Sequence, residues 1–175
     1  MSSILKVSSI QDPTNSNTAL QIDTSGIVTT PARPSFFAYR SVSDQSDQNY
    51  SSLTQVDFDA TQHNIGNCYD TSTYKFTAPV GGVYQFNWQV RVSSTTTASY
   101  VYTQIRLNGD AHWGNDLYLY GGIEDPQGGT YQSNGTSATV QISANDEIDV
   151  RLIVNGDTTT RIQYAGTYFS GFLVG

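Results

Sequence analysis

The chain has 175 residues, 37% hydrophobic and 12% aromatic, which suits one domain with a proper core plus a short appendage. Its 8 basic and 15 acidic residues give a formal charge of −7 without any Lys/Arg cluster, which argues against nucleic acid as a partner. A single cysteine, Cys68, excludes an intrachain disulfide framework and reads as a small buried hydrophobe; no apolar run reaches the roughly 18 residues of a membrane span.

In chain order, Met1 to Val7 lacks the apolar stretch of a signal peptide, so synthesis in a cytoplasm is expected, with release by lysis or as part of a particle. Ile4, Leu5, Val7 and Ile10, then Ala19, Leu20 and Ile22, then Ile27 and Val28 form two or three short β segments. Turn chemistry separates them at Asp12-Pro13-Thr14-Asn15 and Asp23-Thr24-Ser25-Gly26. Such segments cannot bury a core alone, so residues 1–33 read as an attachment or stalk segment. Pro31-Ala32-Arg33-Pro34 forbids helix and reads as a stiff extended linker.

From Ser35 the period is two. Tyr84, Phe86, Trp88, Val90 and Val92 alternate with polar residues, as in a half-buried antiparallel strand. Ala138, Val140 and Ile142 alternate likewise, as do Ile148, Val150, Leu152 and Val154 until Ile153 interrupts. Further strands are expected over 36–40, 53–58, 74–77, 100–107 and 168–174, with turns at Gly81-Gly82, Asn108-Gly109, Gly121-Gly122, Gly128-Gly129, Asn145-Asp146 and Asn155-Gly156. Eight or more short strands without helical periodicity predict an all-β sandwich or jelly roll. The last strand is apolar on both faces, through Tyr168, Phe169, Phe172 and Leu173. One face belongs in the core, and the other needs a second covering, for which a sister subunit is the simplest candidate.

Residues 34–175 resemble the C1q/tumour-necrosis-factor family of globular head domains. The resemblance lies in Pro34-Ser35-Phe36-Phe37-Ala38-Tyr39-Arg40, Val56-Asp57-Phe58, Asn67-Cys68-Tyr69-Asp70 and the central run from Tyr74 to Phe86. It continues in Leu107-Asn108-Gly109, Val140-Gln141-Ile142, Asn145 to Val150 and Phe169-Ser170-Gly171-Phe172-Leu173. It implies a jelly-roll β-sandwich that trimerises and binds rather than catalyses. Phe169, Phe172, Tyr168, Phe36 and Tyr84 are then expected in the trimer interface or core. Asn145 stands where the family often has Gly and tolerates the left-handed conformation; Gly171 is expected to admit a neighbouring backbone. No collagen-like stalk precedes the domain, so the biology of secreted animal members is not carried over. Residues 4–28 are instead similar to the N-termini of bacteriophage virion proteins, those of marine and cyanobacterial phages especially.

Catalytic patterns are missing. His63 and His112 sit in loop-like sequence, with no nucleophile motif, metal-spaced Cys/His set or phosphate loop. Asp57 and Asp59, on one face of an expected strand, could offer Ca²⁺ a site with loop oxygens. Asp146-Glu147-Asp149 and Glu124-Asp125 supply further carboxylates. None has calcium-loop spacing, and solvated turn chemistry is the ordinary role. No cofactor is expected, and Ca²⁺ is possible but unassigned. Trp113, Tyr118 and Tyr120 with Asn115 carry two readings. They stack on sugar rings as a glycan or receptor surface, or, the commoner role, the aromatics fill the core or trimer interface.

The expected function is that of a non-enzymatic phage virion protein. A homotrimeric head is displayed on a fibre, tail or capsid, exposed on the particle, and joined to other virion proteins through residues 1–33. It binds a host-surface glycan or protein, stabilises the particle, or both. A free secreted C1q-like lectin and a polysaccharide depolymerase, which needs paired carboxylates across a groove, are the alternatives.

Overall fold

The computed structural model describes residues 4–14, 16–46, 50–93, 98–111, 118–124, 131–156 and 160–175. Three short strands come first: β1 (Ser9–Gln11), β2 (Thr18–Ile22) and β3 (Val28–Thr29), paired antiparallel in that order. Aspartates build the turns. Asp12 Oδ1 accepts from Thr14 N–H at 2.8 Å. Asp23 Oδ1 accepts from Ser25 and Ile27 N–H, both at 2.8 Å, while Gly26 takes the left-handed conformation at φ 81°. The linker is not extended as expected. Arg33 N–H donates to Thr30 C=O at 3.0 Å and closes a turn, because the fixed φ of Pro31 suits a turn's second position.

The remaining strands form two sheets. β4 (Ser35–Tyr39), β6 (Ala60–Ile65), β9 (Gly82–Ser93), β12 (Tyr131–Ile142) and β15 (Tyr168–Leu173) make one, in the order β12-β9-β15-β4-β6; β14 (Arg161–Ile162) also pairs with β9. We call it the first sheet. The second is β11-β10-β13-β8-β7, from β7 (Tyr69–Asp70), β8 (Lys75–Thr77), β10 (Tyr100–Leu107), β11 (Tyr120–Glu124) and β13 (Glu147–Asn155), with β5 (Thr54–Gln55) on β13. Among the described residues every strand pairing is antiparallel, so the architecture is an all-β jelly-roll sandwich.

The core is aromatic. Phe36, Phe58, Tyr69, Phe76, Tyr84, Phe86 and Phe169 are buried together. Phe36 stacks on Tyr69 at 5.1 Å and meets Phe169 edge-on at 4.9 Å. Trp88 on β9 donates its indole N–H to Thr103 Oγ1 at 2.9 Å, and that hydroxyl donates to Gly121 C=O at 3.0 Å, tying the sheets together.

Several expectations need correction. Gly121-Gly122 is not a turn. Both lie inside β11, because a Cβ on Gly121 would sit 2.7 Å from the Gly135 carbonyl carbon and one on Gly122 would sit 2.6 Å from Tyr102 Cβ. Ile153 does not interrupt its strand; it lies on the outward face of β13, opposite Tyr102. His63 lies in β6 rather than in a loop. Of 53–58, only Thr54–Gln55 is strand. Buried Gln45 instead organises the approach, accepting from Asp57 N–H at 3.0 Å and donating to Gln55 C=O at 3.0 Å. Asn145 is left-handed at φ 69°.

Gly171 admits rings rather than a backbone. A Cβ there would lie 2.6 Å from Phe86 Cδ1 and 2.9 Å from Phe36 Cε1. Gly171→Ala is therefore expected to lower unfolding stability by about 1–3 kcal/mol, as overpacked cores do. Urea denaturation checks this; an unchanged midpoint would contradict it.

Candidate functional site

Both sheets turn one face to the core, and the two outward faces differ in chemistry. On the first sheet, strand alternation places Phe37 and Tyr39 of β4 and Tyr168 and Phe172 of β15 outward. The ring of Phe37 stacks on that of Tyr168 at 5.5 Å and 16°. Phe172 is 44% exposed, and Ile65, aligned with Ser35, is also exposed. Toward β12 the face becomes polar. Asn87, Gln89, Ser133, Ser137 and Tyr168 line a shallow hollow of about 360 Å³. Thr139 donates to Gln85 across the strands. The guanidinium of Arg91 lies over Tyr131, 4.4 Å from the ring centre.

Phe36, Tyr84 and Phe169 lie in the core, while Phe172 and half-buried Tyr168 face outward. The same alternation that buries Phe169 must expose Tyr168 and Phe172, since neighbouring residues on a strand point to opposite sides.

The second sheet carries a tyrosine ladder. Tyr100 and Tyr102 stack at 5.7 Å. Tyr102 meets Tyr120 edge-on at 5.1 Å, and Tyr120 stacks on Tyr118 at 5.4 Å. The missing side chain at Gly122 gives Tyr102 room to reach across to β11. Tyr120 is 46% exposed and Tyr118 is exposed beside it. Trp113 and Asn115, also expected on this surface, lie outside the described residues, as does His112.

Continuing outward along β10 come Gln104 and Arg106, which sequence reasoning did not single out. Gln104 is only 2% exposed, and among the described residues its Nε2 has no hydrogen-bond partner; nor has the buried Nε of Arg106. Asp149 stands opposite Arg106 in register but gives its carboxylate to Arg151 Nε at 2.7 Å. Lys75 and Glu147 pair at 2.6 Å on the same sheet. Those two ion pairs are balanced, and Arg106 forms no ion pair among the described residues. The signal was the alternation itself: inward Val101, Thr103 and Ile105 imply outward Tyr102, Gln104 and Arg106.

The acidic pair is spoken for elsewhere. Asp59 Oδ1 accepts from Ser41 N–H at 2.7 Å and faces Arg40 at 3.9 Å. Burial raises the Asp57 carboxyl above the ordinary value, against the pull of Arg40. Among the described residues no three His, Cys, Asp or Glu side chains gather as a metal site.

The C1q domain family profile matches residues 35–174. Complement C1q tumor necrosis factor-related protein 3 of mouse is 30% identical over 117 residues, 67% of this chain and 43% of that protein; the human protein of that name gives the same figures. The chain's match thus spans less than half the length of these curated relatives. Among solved structures, the globular domain of zebrafish complement 1qA matches with a TM-score of 0.60 at 15% identity, covering 82% of this chain and 98% of that one. Murine APRIL matches at 0.57 and 14%, covering 81% and 99%.

Burial raises the phenols of Tyr69, Tyr84, Tyr102 and Tyr120 above the ordinary value, with Arg106 opposing it at Tyr120, and pushes the Cys68 thiol up to about 11. Each group holds its proton more tightly when folded, so its contribution is complete below its unfolded pKa and is lost as pH rises through the folded one. For Cys68 the loss begins near 9.0. The melting temperature should therefore decline above about pH 9. Scanning calorimetry checks this, and a flat profile to pH 11 would contradict it.

Proposed function

The chain belongs to the C1q-domain family, and we propose that it is a non-enzymatic binding domain that works as a homotrimer displayed on a bacteriophage particle, the last part from the likeness of residues 4–28 to phage virion proteins. The outward face of the first sheet is the subunit interface. The observation that carries this is the apolar set on the outward face of β6, β4 and β15: exposed Phe172 and Ile65, on either side of Ser35, with the stacked Phe37 and Tyr168 further along the same face. Covering a large exposed apolar side chain stabilises by about 1.5–3 kcal/mol, and a threefold ring covers the set once in each subunit. Polar Asn87, Gln89 and Ser133 suit the wetter edge of such an interface.

Residues 1–33 serve as the attachment segment to other virion proteins. Supporting this, Ile10, Ile22 and Val28 in the small β1–β3 sheet, and Ile4, Leu5, Val7 and Ile27 in the chain around it, are all exposed. None of these strands pairs with the later sheets among the described residues. A three-stranded sheet with uncovered aliphatics needs a partner. The display brings several weak binding sites to one surface, where avidity multiplies them. The likeness to animal C1q tumour-necrosis-factor-related proteins favours the second reading, a free ligand-binding protein.

Mass spectrometry of purified particles separates the two readings: the displayed protein is found in them, and its absence would leave only the free form. Sedimentation equilibrium should give about 57 kDa, three copies of the 19.1 kDa chain. Phe172→Asp should shift it to monomer with its far-UV circular dichroism unchanged. A wild-type chain that stays monomeric at high concentration would sink the trimer.

A further inference from the structure

We infer that the tyrosine ladder of the second sheet is a binding site for an acidic glycan, with Gln104 and Arg106 reading the anionic group. The inference rests on the reading of the chain as a binding domain, but not on its trimeric state. It begins from what is missing. Gln104 Nε2 and Arg106 Nε are both N–H donors, both buried, and both without an acceptor among the described residues. A buried donor left unpaired is a cost that native structures rarely tolerate without a reason. Two such donors lie two residues apart on one face of β10, so a single acceptor-rich group serves both.

The surroundings narrow the ligand. Among the described residues Asp149 is the one carboxylate aligned with Arg106 in register, and it is committed to Arg151 at 2.7 Å. A positive charge in an acidic chain therefore stands without a counterion among the described residues. A carboxylate or sulfate supplies both the charge and the lone pairs, and a guanidinium holds either in a forked geometry.

The rest of the ligand is fixed by the rings. Tyr102 and Tyr120 flank Gln104, one along its own strand and one opposite it on β11, and Tyr100 and Tyr118 extend the row. Tyrosine combines an apolar face with a hydroxyl tip, which matches a pyranose ring with its apolar C–H face and hydroxyl rim. A row of four such rings suits several sugar units in line. Uronic-acid or sulfated polymers combine the two features; a neutral glycan leaves Arg106 unmatched.

The test is affinity electrophoresis of the full chain through gels carrying alginate (a uronate polymer), a sulfated galactan, or dextran. Retardation is expected with at least one acidic polymer and not with dextran, and it should weaken steeply as salt is raised. Retention by alginate alone assigns a carboxylate; retention by the galactan alone assigns a sulfate. Arg106→Gln and Tyr120→Ala should each weaken binding at least tenfold. Light scattering on the same samples keeps the trimer question separate, since neither residue lies on the first sheet. If a variant fails to fold, the wild-type contrast between acidic polymers and dextran still decides. No retention by either acidic polymer, equal retention by dextran, or unchanged binding in folded Arg106→Gln would each overturn the inference.

Discussion

Trp88 sits between the sheets at 2% exposure, held by its indole N–H on Thr103, whose hydroxyl reaches on to the Gly121 carbonyl. That relay joins β9, β10 and β11 across the sandwich. It satisfies an indole donor that would otherwise be buried unpaired, and it brings Gly121 against the backbone of Gly135 on β12. A side chain at position 121 would wedge the sheets apart there. Because β11 is seated in this way, Tyr120 lies opposite Gln104 and the ladder can form. The rest of β9 follows from the same packing. Tyr84, Phe86, Trp88, Val90 and Val92 fill the core, and β12 and β15 pair along its two sides.

The two outward faces are consequences of that interior. With the core filled by alternate residues, whatever occupies the other positions must face away from it. On the first sheet those positions include Phe37, Tyr168 and Phe172, a poor choice for water and a good one for a sister subunit. On the second sheet they are tyrosines, an amide and a guanidinium, which suit a hydroxyl-rich, charged ligand. Assembly on one face and recognition on the other do not compete for the same surface. A trimer built on the first sheet leaves three ladders open to the outside, which is the arrangement that avidity requires.

Much of this was legible from residues alone, for a physical reason. The run from Tyr84 to Val92 alternates cleanly because one side of β9 is core and the other is not. The same holds for Ile148 to Val154 on β13, where Ile153 broke the pattern only because its outward position packs beside Tyr102. What stayed hidden has equally specific causes. Gly121-Gly122 imitates a turn, yet the glycines answer to close contacts across the sheets and strands. The first half of β12, Tyr131 to Ser137, is polar and carries buried Asn134 inward, so it has no apolar period to detect. Gln104 and Arg106 read as ordinary solvated residues until register shows that Asp149 is given to Arg151. Pairing across strands is information that a single strand's sequence does not hold.

The central claim is that one outward face is covered by sister subunits while the other stays open. Hydroxyl-radical footprinting of the full chain at assembling concentration tests both halves at once, since the rings concerned are oxidised in proportion to their exposure. Phe37, Tyr168 and Phe172 are predicted to be protected, and Tyr102 and Tyr120 to be labelled. Oxidation of Phe172 as rapid as that of Tyr120, two residues of nearly equal exposure in the single chain, would contradict the account.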